Sequence, residues 1–156
     1  MTQALETQVT SQGLDQAQAL QASLVELIDL SLQAKQAHWN VVGPTFKPVH
    51  EFLDELTSAY RDWYDLVAER LTAIGIPPDG RSATVAGSTP LAALPAGPIG
   101  DQAVLAAFAE RVTLVAANVR RRADEMGGLD IATQDLLIEI LRGLEKQHWM
   151  LRAHRA

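Results

Sequence analysis

The stretch that decides the fold runs from residue 38 to residue 70 and reads HWNVVGPTFKPVHEFLDELTSAYRDWYDLVAER. Within it, apolar residues recur at three- and four-residue steps from about Phe46 or Pro48, and the pattern continues to Ile74. This spacing is typical of an amphipathic helix. The inward stripe of the predicted helix consists of Val49, Leu53, Leu56, Tyr60, Trp63, Val67 and Ile74.

Signals at both ends support this helix. Gly43-Pro44 ends the preceding helical pattern, and Thr45 is a suitable cap for the new one. Pro48 is tolerated only because it falls near the first turn. Gly75-Ile76-Pro77-Pro78 stops the helix.

Four side chains able to bind metal ions share one face of this helix. His50 and Asp54 are spaced i, i+4, and so are Asp65 and Glu69. At about 100° per residue the four fall within an arc of roughly 100°, about 150° from the apolar stripe. They therefore point out of their own bundle. In a monomer, such a stripe would simply be a solvated polar surface.

Distance along the helix limits what these residues can do in one chain. Asp54 and Asp65 are separated by about 16 Å at 1.5 Å per residue, too far to bind one ion. Each i, i+4 pair alone leaves an ion with too few ligands. Antiparallel packing against a second copy would bring His50 and Asp54 of one chain against Asp65 and Glu69 of the other. Two-fold symmetry then produces two equivalent sites.

His38 is a fifth candidate. It lies at the centre of the broad apolar face of the first helix, where a lone histidine is usually a satisfied core residue. The nearby His50 and carboxylates of the neighbouring helix favour a ligand role instead.

Three further helices are predicted, over about residues 14–42, 101–126 and 131–153. The first has an apolar face of about half its circumference, wider than the ~100° of an ordinary surface helix, so it should be covered on two sides. Asp130 or Thr133 could cap the last helix. The predicted fold is all-α: one four-helix domain over residues 14–153, after a flexible tail of residues 1–13.

A long connection separates the second and third helices. Residues 75–100 are rich in Gly, Pro, Ser and Ala, and a short helix could form near Pro90–Leu94. One such crossover is typical of ferritin-like bundles. No strand pattern or internal repeat is present.

Composition narrows the function. The chain has no Cys, so a metal must be bound by His, Asp, Glu or backbone oxygen. No apolar run approaches the roughly 20 residues that span a bilayer, and no signal peptide is evident, so we expect a cytoplasmic protein. The net charge is −6, and the first 34 residues contain no Lys or Arg. We therefore expect weak or no DNA binding.

The run from Lys35 to Arg70 resembles the signature of the Dps family of mini-ferritins. The fourth helix, with KQHWML at residues 146–151, resembles the closing motif of the family. The resemblance covers about residues 14–153 and is weakest in the crossover. The positions that match at the family's spacing are Lys35, His38, Trp39, Gly43, Phe46, His50, Asp54, Asp65, Ala68, Glu69 and Arg70.

The resemblance implies a dodecameric homo-oligomeric shell with an iron-oxidising (ferroxidase) site at each two-fold interface. It implies that His38, His50 and Asp54 come from one subunit, and Asp65 and Glu69 from its mate. Fe²⁺ would be oxidised, preferably by hydrogen peroxide and otherwise by O₂, and the ferric mineral stored inside. Zinc or manganese could occupy the same ligands.

The resemblance also suggests secondary roles. Trp39 could quench stray oxidising equivalents or simply pack at the dimer contact. Asp130, Asp135 and Glu139 resemble residues that line pores through which iron enters, where carboxylates would concentrate Fe²⁺. Acidic residues also favour the first turns of any helix, because they interact with the helix dipole.

Two other functions compete with iron oxidation. One is a DNA-compacting structural protein with a vestigial metal site. The absence of Lys and Arg from the N-terminal segment disfavours this function. The other is a di-metal enzyme with its site inside the bundle. Glu145 and His148 have the Glu-x-x-His spacing of such sites, but the required second pair is missing. His148 is therefore expected to be a packing or interface residue.

Overall fold

The computed structural model describes residues 11–155, with side chains from Asp15 onward. Apart from its last three residues, which are helical, the predicted tail of residues 1–13 lies outside the described residues. The elements in chain order are α1 Ser11–Asn40, β1 Val41–Val42, α2 Phe46–Ala73, α3 Ser82–Ser88, β2 Ile99–Gly100, α4 Asp101–Met126 and α5 Ile131–Ala153. The predicted bundle of four long helices with one long crossover is confirmed.

The short helix of the crossover lies earlier than predicted, at Ser82–Ser88 rather than near Pro90–Leu94. Asp79 favours the earlier position, because its carboxylate accepts hydrogen bonds from the Arg81 backbone and the Thr84 hydroxyl at the start of α3. The later segment lies between Pro90 and Pro95, and a residue that precedes proline is disfavoured in a helix.

Two very short strands also form, although the sequence predicts none. Val41 and Val42 of β1 pair in parallel with Ile99 and Gly100 of β2. Such a pair leaves no recognisable pattern in the sequence, because only tertiary contact brings its strands together. It ties the end of α1 to the start of α4.

The core lies between two helical hairpins, α1/α2 and α4/α5. The predicted two-sided burial of α1 is confirmed: it buries Leu20, Leu24, Leu27, Leu30, Ala34 and Ala37. α4 is long and apolar enough by composition to cross a bilayer, but its Val104, Phe108, Val112 and Val115 are buried in the bundle, as in a core helix.

Two contacts between the hairpins are specific. On α1 and α4, Glu26 and Arg122 form a buried two-pronged ion pair, with N–O distances of 2.7 and 2.8 Å. On α2 and α5, the Trp63 ring lies against Gly143, where a Cβ atom would be only 2.2 Å from Cζ2 of the indole. Gly143 is therefore required by the close approach of this ring.

Candidate metal centre

His38 and His50 form a stacked pair at the junction of α1 and α2. The ring centroids are 3.6 Å apart and the planes are inclined by 19°. Nδ1 of His38 lies 2.8 Å from the backbone oxygen of His50, and Nδ1 of His50 lies 2.7 Å from the backbone oxygen of His38. Each imidazole is thus fixed by the backbone that carries the other.

These reciprocal hydrogen bonds determine the tautomer of both rings. A carbonyl oxygen can only accept, so Nδ1 of each histidine must carry the proton. In the neutral ring, Nε2 then keeps its lone pair and can bind a metal ion. A histidine ligand usually has this arrangement, with its second nitrogen hydrogen-bonded to a carbonyl or carboxylate. His38 is buried, and its Nδ1 atom has a hydrogen-bond partner in the backbone of His50.

Asp54 lies next to this pair. Its Oδ1 atom is 3.6 Å from Nδ1 of His38 and 2.5 Å from the Lys35 ammonium. The hydrogen bond from Lys35 holds the pKa of the Asp54 carboxyl below its ordinary value, so the group is a carboxylate at neutral pH. His38, His50 and Asp54 therefore lie close together, with Lys35 as an internal cation. Lys35 precedes His38 by three residues on α1, so the two side chains lie on the same face of that helix.

Asp65 and Glu69 are also exposed on α2, as predicted. They lie further along the helix and do not join the group formed by His38, His50 and Asp54. Asp65 borders a cavity of about 330 Å³ that is also lined by Leu24, Tyr64 and Pro78. Among the described residues, no three His, Asp or Glu side chains come together as a metal site. Within one chain, the five predicted ligands thus fall into two separate groups.

Large apolar side chains are exposed on the elements that carry these two groups. Trp39, next to His38, is 68% exposed, and its ring centroid lies 5.9 Å from the Lys35 ammonium. The others on α1, β1 and α2 are Leu32, Val42, Phe46 and Leu66. If these side chains form one continuous surface in the folded chain, that surface is of the kind that contacts a partner.

The candidate pore residues lie apart from these two groups of predicted ligands. Asp130 is the N-cap of α5, as predicted, and its carboxylate accepts hydrogen bonds from Ala132 and Thr133 and pairs with Arg70 at 2.6 Å. Of these partners, Arg70 offsets the negative charge of Asp130. Asp135 and Glu139 are exposed. Glu145 pairs with Arg120 rather than with His148.

Asp101, which the sequence did not single out, holds the turn between α1 and α2. It is buried, and its Oδ2 atom accepts hydrogen bonds from the Thr45 backbone at 2.7 Å and the Thr45 hydroxyl at 2.5 Å. Thr45 occupies the predicted cap position but makes no side-chain cap bond to its own helix. An N-cap side chain usually accepts a hydrogen bond from the backbone N–H of the second or third helical residue. The third residue of α2 is Pro48, which has no N–H.

Most of this chain aligns with known proteins. The family model of the ferritin-like domain matches residues 17–156. DNA protection during starvation protein 2 of Deinococcus radiodurans is 36% identical over 136 residues, which cover 87% of this chain and 56% of that protein. The chain thus spans little more than half the length of this relative.

Two further proteins match over more of their own length. The DNA protection during starvation protein of Mycolicibacterium smegmatis is 36% identical over 140 residues, 90% of this chain and 76% of that protein. The structure of Dps from Microbacterium arborescens in the high iron form is 35% identical, with a TM-score of 0.86, over 90% of this chain and 92% of that one. The ferritin-like fold is thereby confirmed.

Proposed function

Because the chain belongs to the Dps family of ferritin-like proteins, we propose that it oxidises ferrous iron between paired subunits and stores the ferric product in a hollow shell. Iron is the substrate and the stored material. The Dps of Microbacterium arborescens has a structure in a high iron form, which supports iron as the metal.

The observation that carries this proposal is the pair of reciprocal hydrogen bonds between His38 and His50. They present two Nε2 lone pairs beside the Asp54 carboxylate. Imidazole and carboxylate together suit iron, and also zinc or manganese as surrogates. A pair of histidines that only filled space would need no such fixed tautomer.

A second subunit would complete the site. Asp65 and Glu69 are exposed on the same face of α2, so an antiparallel copy could place them opposite His38, His50 and Asp54 of its mate. Exposed Trp39, Phe46 and Leu66 would be covered in the same contact. By family resemblance, six such dimers build a dodecamer.

The proposed reaction uses two ferrous ions and one hydrogen peroxide. Each Fe²⁺ gives one electron, the O–O bond is cleaved, and two protons are taken up to form two waters. Carboxylates stabilise Fe³⁺ more than Fe²⁺, which favours oxidation, whereas imidazole retains Fe²⁺ long enough to react. Transfer of both electrons to one peroxide avoids release of hydroxyl radical. Before iron can bind Oδ1 of Asp54, the Lys35 ammonium must move away from it.

Iron would enter through acidic pores. Asp135 and Glu139 remain candidates for the pore lining, because both are exposed. Asp130 is a weaker candidate, since Arg70 and Thr133 already occupy its carboxylate. The net charge of −6 would also favour attraction of Fe²⁺ over binding of DNA.

The names of the relatives also suggest DNA protection. We propose that this chain protects DNA indirectly, by removal of Fe²⁺ and peroxide in the cytoplasm, and that it binds DNA weakly or not at all. Retardation of plasmid by the assembled shell at ~0.15 M salt would instead support a DNA-compacting role.

Peroxide-driven Fe²⁺ oxidation tests the proposal directly. The variant Asp54→Ala/Glu69→Ala should lose rapid oxidation, because each site loses a carboxylate from both of its halves. Glu55→Ala/Asp62→Ala is the matched control, since it removes the same charge from exposed positions of the same helix. Equal rates in the Asp54/Glu69 variant and the control would exclude the interface site.

Assembly is tested separately by size-exclusion chromatography. A dodecamer should elute at about twelve times the 16.9 kDa mass of the chain. Elution as a monomer would contradict the shell and the shared sites together.

A further inference from the structure

We propose that Asp101 is a positioning residue for the His38–His50 pair: it clamps the α1–α2 turn from the start of α4 and so sets the geometry in which both imidazoles meet the metal ion. This inference rests on the proposed function. Asp101 does not touch the metal ligands and acts only through the turn.

The turn determines the geometry of the histidine pair. His38 lies in the last turn of α1 and His50 near the start of α2, and each is hydrogen-bonded to the backbone oxygen of the other. Between the two helices lie only β1 and residues 43–45, so this turn links the two histidines directly. A shift of α2 against α1 at this point would break both hydrogen bonds and change the direction of both Nε2 lone pairs.

Asp101 fixes this turn with charge-assisted hydrogen bonds, which are stronger than neutral ones. Its Oδ2 atom accepts both donors of Thr45, and its Oδ1 atom accepts the Gln102 N–H at 2.8 Å. The hydrogen bonds from Thr45 lower the pKa of the Asp101 carboxyl, so it remains ionised. A negative charge at this position also stabilises the N-terminal end of the α2 dipole.

Two more features place Asp101 beside the α1–α2 turn. The parallel pairing of β1 with β2 brings the end of α1 to the residues just before Asp101. Gly43 has φ of +137°, and a Cβ atom there would lie 2.6 Å from the Asp101 carboxylate. The turn is thus shaped around this carboxylate, and it leaves no room for a side chain at Gly43.

The experiment uses assembled shells and Co²⁺ as a spectroscopic probe of the site. In Asp101→Ala, we expect the Co²⁺ concentration for half-saturation to rise about tenfold. This is the lower end of the loss in metal affinity that follows removal of a group that orients metal ligands. The visible d–d bands of bound Co²⁺ should also change, because they report ligand geometry. The half-saturating Fe²⁺ concentration in peroxide-driven oxidation should rise in parallel. Asp101→Asn keeps an acceptor for Thr45 and should recover part of the loss.

Asp79→Ala is the matched control. Asp79 lies in the crossover that precedes α4 and also holds a turn, through Arg81 and Thr84, but it does not bond the histidine turn. This variant should keep the wild-type Co²⁺ spectrum and half-saturation. Thr45→Val removes only the hydroxyl donor and should give a smaller change in the same direction as Asp101→Ala, even if the latter fails to assemble.

The outcomes separate this inference from the proposed function. If wild-type shells bind neither Co²⁺ nor Fe²⁺, the proposed function is wrong and this inference with it. If the wild type binds them but Asp101→Ala or Thr45→Val binds Co²⁺ with unchanged affinity and spectrum, only the positioning role is overturned. Equal losses in Asp101→Ala and Asp79→Ala would also overturn it, because general destabilisation would then explain both.

Discussion

The ion pair between Glu26 and Arg122 allows a quantitative prediction about stability. Both side chains are almost fully buried between α1 and α4, with exposed fractions of 2% and 6%. Asn118 also donates to Glu26 at 2.9 Å, and Arg122 donates to the Ser23 hydroxyl at 3.2 Å. In the variant Arg122→Met, the Glu26 carboxylate would remain buried with one neutral donor.

The magnitude follows from burial and from access to water. Removal of one partner of a buried pair typically costs about 3–5 kcal/mol. Glu26 and Arg122 border an open groove between α1, α3 and α4, so water can partly solvate the remaining carboxylate. We therefore expect the lower end, about 3 kcal/mol, which corresponds to a fall in Tm of roughly 6–12 °C for a chain of this size.

The double variant Glu26→Leu/Arg122→Met is the control for this reasoning. It removes both charges, and Ser23 keeps its hydrogen bond to the Ala19 oxygen at 2.9 Å. Its Tm should recover most of the loss, since replacement of a buried pair by apolar residues is often nearly neutral. The assay is thermal unfolding by circular dichroism at one fixed protein concentration, because subunit association also stabilises the fold. A Tm of Arg122→Met equal to wild type, or a double variant as unstable as the single one, would refute the reasoning.

Three further predictions concern single positions. Gly143→Ala should destabilise the fold by about 1–3 kcal/mol in thermal unfolding, because the new methyl group would overlap the Trp63 ring; Trp63→Leu in the same chain should relieve the clash, and an unchanged Tm for Gly143→Ala would contradict the contact. Lys35→Met should raise the pKa of Asp54 toward its ordinary value and tighten Co²⁺ binding at neutral pH, because the ammonium no longer competes for Oδ1; weaker binding would show that Lys35 orients Asp54 instead. Burial would raise the pKa of Asp130, but hydrogen bonds from Thr133 and Arg70 outweigh it and lower the pKa to about 2. Since the folded pKa is below the unfolded value of about 4, Asp130 stabilises the fold above that pH and loses this effect as the pH falls toward 2; the difference in stability between wild type and Asp130→Asn should therefore shrink over that interval, and a constant difference would contradict the assigned partners.

The long helices could be predicted from sequence because their signals are local and repeated. The bounds of α4 and α5 match the prediction, since each has a continuous apolar stripe and a glycine or acidic residue at its end. The predicted position of α3 was wrong, because Asp79 and the prolines together decide where this short helix forms. The β1–β2 pair could not be predicted, because two residues per strand carry no periodicity.

The candidate site could likewise be predicted only in part. The outward direction of Asp54, Asp65 and Glu69 follows from helical spacing alone, and the structure confirms that all three are exposed. The tautomers of His38 and His50 depend on how α1 meets α2, which spacing does not give. Asp101 is separated from Thr45 by 56 positions, and nothing in the sequence connects them.

Complementation between two inactive variants is the most direct test of half-sites shared across a two-fold axis. One chain carries His38→Ala/Asp54→Ala and the other Asp65→Ala/Glu69→Ala, and the two are co-expressed in equal amounts. Each variant alone should form shells without rapid peroxide-driven Fe²⁺ oxidation. Random pairing gives a mixed dimer half of the time, with one of its two sites fully wild type, so mixed shells should recover about one quarter of the wild-type rate. Mixed shells that remain as inactive as either variant alone would contradict the shared site.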